Sequence, residues 1–438
     1  MTNYQATFAQ PRPSPFKNAI YLFGGEILAH LLGFIATLYC AQKVGVINFG
    51  WINFSLSLVS YGLILANFGL LTLGVKRLSQ HQEENITDNL LSLRLILAVF
   101  VFLILAIIAT FLRKPPVVKN LLYLYSLFLF INAFSLEWFF QAKERMEYIG
   151  ITRVLMSLSY LILLLIFVQN TGDYLKVPIS YLFGQGIGTG FLLILYTKIK
   201  PGSLRLTFHL RQFKNLFFSA LPLGTINILQ VFYTYFGIIL LGFIGTPQEL
   251  GIYSAMYRLL FFTLIIDRVA HFLLLPLISS SYTTHFSKLP KLFVILSRII
   301  LFTTLSIVLI VLIIPSPLIS VLFGKDYIEG GNLLRILVLF LPLTTLSTLY
   351  ATGLIAGNRE KLLLINTLIG TVINMLISPL LYIGLKGLGI GLAFIIGEFV
   401  ITSLNLSACR KEIRFSLRQS LIPFITRQEI EFLRRREL

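Results

Sequence analysis

Two arginines stand where an apolar chain has least use for a charge. The run 250–282 reads Leu250-Gly251-Ile252-Tyr253-Ser254-Ala255-Met256-Tyr257-Arg258, continues through Leu, Phe, Thr and Ile, and then presents Asp267-Arg268-Val269-Ala270-His271. A helix crossing a hydrocarbon layer about 30 Å thick uses roughly 20 residues, so a crossing begun after Gly245-Thr246-Pro247 takes in at least one of the two. A charge at that depth costs on the order of 2.5 to 3.5 kcal/mol and normally faces a bundle interior or a wet cavity. Arginine suits one task there, because its planar fork stays protonated and meets phosphate oxygens in pairs. On one helix Arg268 falls about 80° around from Arg258, so both can border a single cavity, whereas Asp267 falls opposite Arg258. Each arginine keeps two readings. Arg258 either binds an anion or snorkels to the interface, and Arg268 either faces the cavity or is neutralised by Asp267.

Acids and amides recur along the chain. Glu26 and His30 are spaced i, i+4 on one face of the first apolar run, and Asp267 and His271 repeat that spacing. Histidine titrates near neutrality and burial brings a carboxylate toward it, so either pair suits a coupling proton. Either pair equally suits charge balance, with Glu26 set against an arginine of the eighth span. Glu398 in the last run is a further candidate for ion coupling, or for a bond to a neighbouring hydroxyl or amide. Glu137 is expected to pair with Lys143 or Arg145. Asn67, Asn227, Gln230 and Asn374 are amides at membrane depth; the first three are candidates for sugar hydroxyls, and all of them suit helix-to-helix bonds as well. The aromatic face Phe232, Tyr233, Tyr235 and Phe236 reads first as packing. Gly384 to Gly391 lacks the Lys-Ser/Thr ending of a phosphate loop.

The elements that must position these side chains are membrane helices. Of the 438 residues 56% are hydrophobic and 12% charged, where a soluble domain carries about 25% charged residues. A net charge of +18 does not point to nucleic acid, because the cations sit between apolar runs and not on a soluble face with interleaved aromatics. Cys40 and Cys409 are the only cysteines, so neither a disulfide framework nor a zinc site is expected. The first 17 residues lack the charged and apolar regions of a signal peptide. Apolar runs predict an all-α polytopic membrane protein with 12 transmembrane helices in two six-helix lobes. The expected layout is a tail at 1–17, an N-lobe at 18–205, a C-lobe at 206–410 and a basic tail at 411–438. Counting Lys and Arg on alternate sides puts both termini in the cytoplasm. The outer side receives Lys43, Arg113, Lys114, Lys119, Lys176, Lys325, Arg335 and Lys386, and the other cations, Arg258 and Arg268 aside, fall on the inner one.

The halves look alike. Phe16-Lys17-Asn18 opens the first span and Phe213-Lys214-Asn215 the seventh; Gly45 to Gly50 matches Gly245 to Gly251 at almost the same offset. Duplication by six helices would give parallel repeats around a midplane cavity, the plan of a carrier that rocks between two openings.

Three stretches carry a resemblance: Asn67-Phe68-Gly69-Leu70 through Gly74-Val75-Lys76-Arg77, Glu137-Trp138-Phe139-Phe140-Gln141 through Met146, and Leu241-Gly242 with Gly251-Ile252-Tyr253-Ser254-Ala255. With the twelve-span layout they resemble the Wzx-type polysaccharide-biosynthesis flippases of the multidrug/oligosaccharidyl-lipid/polysaccharide (MOP) exporter superfamily. Ala142 departs from the glycine more usual there. The resemblance implies a plasma (inner) membrane protein, not an enzyme, that turns an undecaprenyl-diphosphate-linked oligosaccharide, an O-antigen or exopolysaccharide unit, to the outer leaflet by alternating access. It further implies an anionic head group held in a cationic cavity and an H+ or Na+ gradient as the drive, with no cofactor. Expected partners are the lipid-linked oligosaccharide, membrane lipids and a glycan polymerase, with the protein itself a monomer and no nucleic acid. Two alternatives remain: a multidrug or toxic-cation antiporter of the same superfamily, which would want an acidic cavity, and a membrane glycan polymerase or ligase, which would want a large outer loop.

Overall fold

The computed structural model describes residues 15–80, 86–199, 205–284, 286–422 and 424, so the tail 1–14, most of the basic tail and the side chain of Asn227 lie outside the described residues. The chain is helical throughout them. The helices are α1 (Pro15–Asn67), α2 (Leu70–Ser79), α3 (Ile86–Phe111), α4 (Pro116–Ser126), α5 (Phe128–Ala133), α6 (Glu137–Ala142), α7 (Met146–Phe167), α8 (Lys176–Ile199) and α9 (Leu210–Ile244), then α10 (Pro247–Thr263), α11 (Ile265–Thr284), α12 (Leu289–Ile313), α13 (Pro315–Leu322), α14 (Gly331–Leu337), α15 (Phe340–Ala356), α16 (Glu360–Leu385), α17 (Gly387–Ile413) and α18 (Leu417–Ser420). Backbone amides in hydrocarbon must be satisfied within their own segment, so apolar runs of this length fold as helices.

Ten helical regions among the described residues are long and apolar enough to cross a membrane, and the first of them runs 59 residues from Tyr21 to Ser79. At ~1.5 Å per residue that is far more than one crossing. The chain bends inside it at Gly45, whose φ of 76° and ψ of 167° leave the helical region at a cost that only glycine avoids. A shorter apolar helix runs from Ile228 to Ile244.

Packing divides the chain into two compact units, Met1–Gly251 and Ile252–Leu438. In the first unit α1 packs on α7, α3, α4 and α9, and α7 packs on α8. One close approach is backbone on backbone: a Cβ added at Gly25 of α1 would lie 2.5 Å from the Cα of Gly150 on α7, and one at Gly150 would lie 2.5 Å from the carbonyl oxygen of Tyr21. Lipid tails are as apolar as leucine, so helices in a bilayer associate through such close packing and through polar bonds. In the second unit α17 packs on α16 and α15, and α15 also meets α11 and α12. Gly370 of α16 lies against the Gly397 carbonyl oxygen, which a Cβ there would approach to 2.8 Å.

The run 250–282 is not one straight helix. The chain breaks at Leu264, between α10 and α11, although the amide of Arg268 still donates to the Leu264 carbonyl at 3.2 Å. The amide of Leu264 likewise donates to the Leu260 carbonyl at 3.3 Å, so helical bonding continues on both sides of the junction.

Candidate functional site

The first unit contains a connected charge network, and the glycine contact explains its position. One turn beyond Gly150, Arg153 of α7 is carried to α1, where its Nη1 lies 3.4 Å from Glu26 Oε2. Its Nη2 donates to Glu137 Oε2 of α6 at 3.1 Å. His30 completes the cluster, with Nε2 3.8 Å from the other oxygen of Glu26. One guanidinium thus joins two carboxylates from different helices, an arrangement that a planar fork with donors on both sides permits. The expectation that Glu137 pairs with Lys143 or Arg145 is corrected: its partner is Arg153. Glu26 does meet an arginine, and this one belongs to α7.

Glu137 also acts electrostatically on Arg94 of α3, the most deeply placed charge of this unit at 1% exposure. The Arg94 side chain is fully engaged. Its Nε donates to Asn67 Oδ1 at 3.1 Å, Nη1 to the Ser135 carbonyl at 2.8 Å, and Nη2 to the carbonyl and side-chain oxygens of Asn132 at 2.5 and 3.2 Å. Asn67 in turn donates to Asn132 Oδ1 at 2.9 Å. Both ends of the Asn67 amide are therefore occupied by helix-to-helix bonds.

The three motifs are parts of this construction. Phe68 and Gly69, at φ 30° and 76°, end α1 and turn the chain into α2, which leaves Asn67 at the break. Trp138, Phe139 and Phe140 of α6 are buried, and the indole of Trp138 fills the space that a side chain at Gly74 of α2 would need. The third motif closes on α1, since a Cβ at Gly251 would lie 2.0 Å from the Val46 carbonyl oxygen. Ala142 is the last helical residue of α6; the left-handed residue of the following turn is Glu144, at φ 57°, whose carbonyl accepts from Asn18 Nδ2 at 2.8 Å.

In the second unit neutral groups join α15, α16 and α17. Asn366 of α16 donates to Asn405 of α17 at 2.9 Å, Asn405 donates to Ser347 of α15 at 3.0 Å, and Thr402 donates to the Leu343 carbonyl at 3.1 Å. Asn374 accepts from Ser378 at 3.1 Å. Glu398, 5% exposed, lies one turn before Thr402 on the same stripe of α17. Arg258 is half-buried in α10, and on α11 Arg268 and His271 are exposed. Asp267 is half-buried, in electrostatic reach of Arg268 and His271 and of the Thr348 hydroxyl on α15. Gln230 is exposed on α9. Among the described residues no group of three or more His, Cys, Asp or Glu is placed to hold a metal ion.

Sequence reasoning assigned Arg94 and Arg153 to the inner-side flanks and so missed both. Their depth was readable in part: Arg94 follows Ile86 by two turns in a run that stays apolar to Phe111, and Arg153 follows Gly150 by three residues.

The solved structure of the lipid II flippase MurJ in an inward closed conformation matches with a TM-score of 0.75 at 15% identity, over 94% of this chain and 95% of that one. An inward-facing multidrug resistance MATE transporter of the MOP superfamily matches with a TM-score of 0.70 at 16% identity, over 88% and 94%. A MOP superfamily transporter from Pyrococcus furiosus gives 0.59 at 17% identity, over 94% and 98%. These likenesses establish the fold. No curated protein matches the sequence. The profile of the polysaccharide biosynthesis protein family matches residues 16–282, which takes in all three motifs, the Arg94 and Arg153 networks and Arg258, and by that match over more than half of its length the chain belongs to the polysaccharide biosynthesis protein family.

Proposed function

We propose that this protein turns an undecaprenyl-diphosphate-linked oligosaccharide from the cytoplasmic to the outer leaflet of the plasma membrane by alternating access. The proposal includes twelve crossings, two six-helix lobes at 18–205 and 206–410, and both termini in the cytoplasm. The family supports a role in polysaccharide synthesis, and one observation supports the choice of an anionic substrate: Arg258 is half-buried in an apolar helix. A guanidinium held there offers a diphosphate two parallel hydrogen bonds as it leaves water. Arg268 supplies a second cation, and Asn227 and Gln230 on α9 meet sugar hydroxyls. Asn67 serves the Arg94 network.

Glu26 and His30 form the coupling element of this proposal. Protonation of Glu26 would release Arg153 to Glu137 alone and loosen α1 from α7, giving the lobe two states that a proton gradient can bias. Asp267 with His271, and Glu398, are the corresponding charge-balancing or coupling groups in the second unit.

The test is glycan export in cells lacking the native gene. Arg258→Ala is expected to abolish export while the protein remains in the membrane at its normal level, and Arg258→Lys to restore part of it. Unchanged export by the alanine variant removes Arg258 from the site. For coupling, Glu26→Gln is expected to flatten the dependence of transport on pH; a profile identical to wild type assigns Glu26 to charge balance only.

A further inference from the structure

At one end of the second unit the start of α12 and the finish of α17 enclose a pocket of about 490 Å³ lined by Phe286, Ser287, Pro290, Lys411, Ile413 and Arg414, with Glu412 at its edge. We propose that this pocket binds the phosphate of an anionic phospholipid head group. Its charge is the first argument. The Glu412 carboxylate is held by Arg359 Nε at 2.7 Å, so Lys411 and Arg414 determine the sign of the field in the pocket. Arg414 caps α17 in the left-handed region at φ 56°, and both it and Lys411 line the pocket. Both side chains are exposed and open to a ligand arriving from the membrane boundary.

The second argument is the mixed wall. Phe286 and Pro290 offer an apolar surface next to the two cations and the Ser287 hydroxyl. A free phosphate ion leaves that surface bare, whereas a lipid head group covers it with glycerol and the first acyl carbons. The third argument is depth. The apolar run of α17 gives way to Arg410, Lys411 and Glu412 in its last turn, the composition expected where a membrane helix reaches the head groups, and basic pockets between helices at such a level suit anionic lipids. No residue of the pocket takes part in the proposed transport path, so the outcome here is independent of that reading.

The full-length protein is purified and placed in phosphatidylcholine nanodiscs, with phosphatidylglycerol or inorganic phosphate added, and bound lipid is counted by native mass spectrometry while thermal stability is followed. Wild type is expected to retain phosphatidylglycerol and to be stabilised by it. Lys411→Gln combined with Arg414→Asn, asparagine being tolerated at positive φ, is expected to reduce retention at least tenfold, while Lys325→Gln, at an exposed lysine of the same unit, leaves it unchanged. Should the double variant fold poorly, Lys411→Gln alone is read the same way. Stabilisation by inorganic phosphate with none by phosphatidylglycerol overturns the lipid assignment in favour of a soluble phosphate ligand. Equal retention by wild type and variant, or no preference of wild type for phosphatidylglycerol over phosphatidylcholine, overturns the proposal.

Discussion

The two units hold their helices together with different chemistry. In Met1–Gly251 charged side chains join several helices: Arg153 lies between Glu26 and Glu137, and Arg94 is enclosed by Asn67, Asn132 and Ser135. In Ile252–Leu438 the buried contacts from α15 to α17 are neutral amides and hydroxyls, with Glu398 close by on α17. The Arg153 pairs are partly exposed, with side chains at 23 to 36%, so each is worth about 1 kcal/mol or less, whereas each buried acceptor of Arg94 left unpaired costs about 1 to 3 kcal/mol. A lost amide bond between membrane helices costs about 0.6 to 2 kcal/mol. The first unit thus joins α1, α6 and α7 through titratable side chains, whereas the bonds among α15, α16 and α17 are made by neutral ones.

Four substitutions can break or sharpen this contrast. The largest effect is expected from Arg94→Leu, which orphans the carbonyls of Asn132 and Ser135 and the amide oxygen of Asn67; at about 1 to 3 kcal/mol for each buried acceptor left unpaired, it should appear as a large fall in melting temperature and in the amount of protein in the membrane. Next, Gly25→Ala forces backbone apart at Gly150 and moves Arg153 away from Glu26. Overpacking of this kind costs about 1 to 3 kcal/mol, and Gly24→Ala, which meets nothing within 4 Å, is the control that should melt like wild type. Third, Asn405→Ala removes two neutral bonds of the second unit, and a loss of about 1 kcal/mol is expected in the same melting assay. If Asn405→Ala cost as much as Arg94→Leu, the distinction between the units would fail. Smallest is Arg359→Gln, which opens an exposed ion pair with Glu412; its effect on stability should lie within about 1 kcal/mol.

The sequence made the helices legible because apolar runs of this length have few other ways to satisfy their backbones. The motifs were legible as words before their physical sense was clear. Phe68-Gly69 is a helix break, Gly74 and Trp138 are two sides of one contact, and Gly251 permits an approach to Val46. What stayed hidden was depth. Arg94 and Arg153 each stand within two turns or so of a helix start, where a cation at the membrane surface and a cation folded inward give the same hydropathy. Only the partners tell them apart, and Asn132, Ser135 and Glu137 come from short helices and turns that periodicity does not place. The break at Leu264 was equally invisible, since Leu260 to Ile266 carries neither proline nor glycine.

In the function proposed above, a fixed positive charge at Arg258 conducts a diphosphate through the protein. Its most direct measurement is leaflet transfer of an undecaprenyl-diphosphate-linked glycan in proteoliposomes, compared between wild type and Arg258→Ala at equal reconstituted amounts. The account predicts transfer by wild type and a loss of at least tenfold in the variant, with a neutral polyprenyl-linked glycan moved by neither. Equal transfer by both proteins, or transfer of the neutral glycan as fast as the charged one, would contradict it.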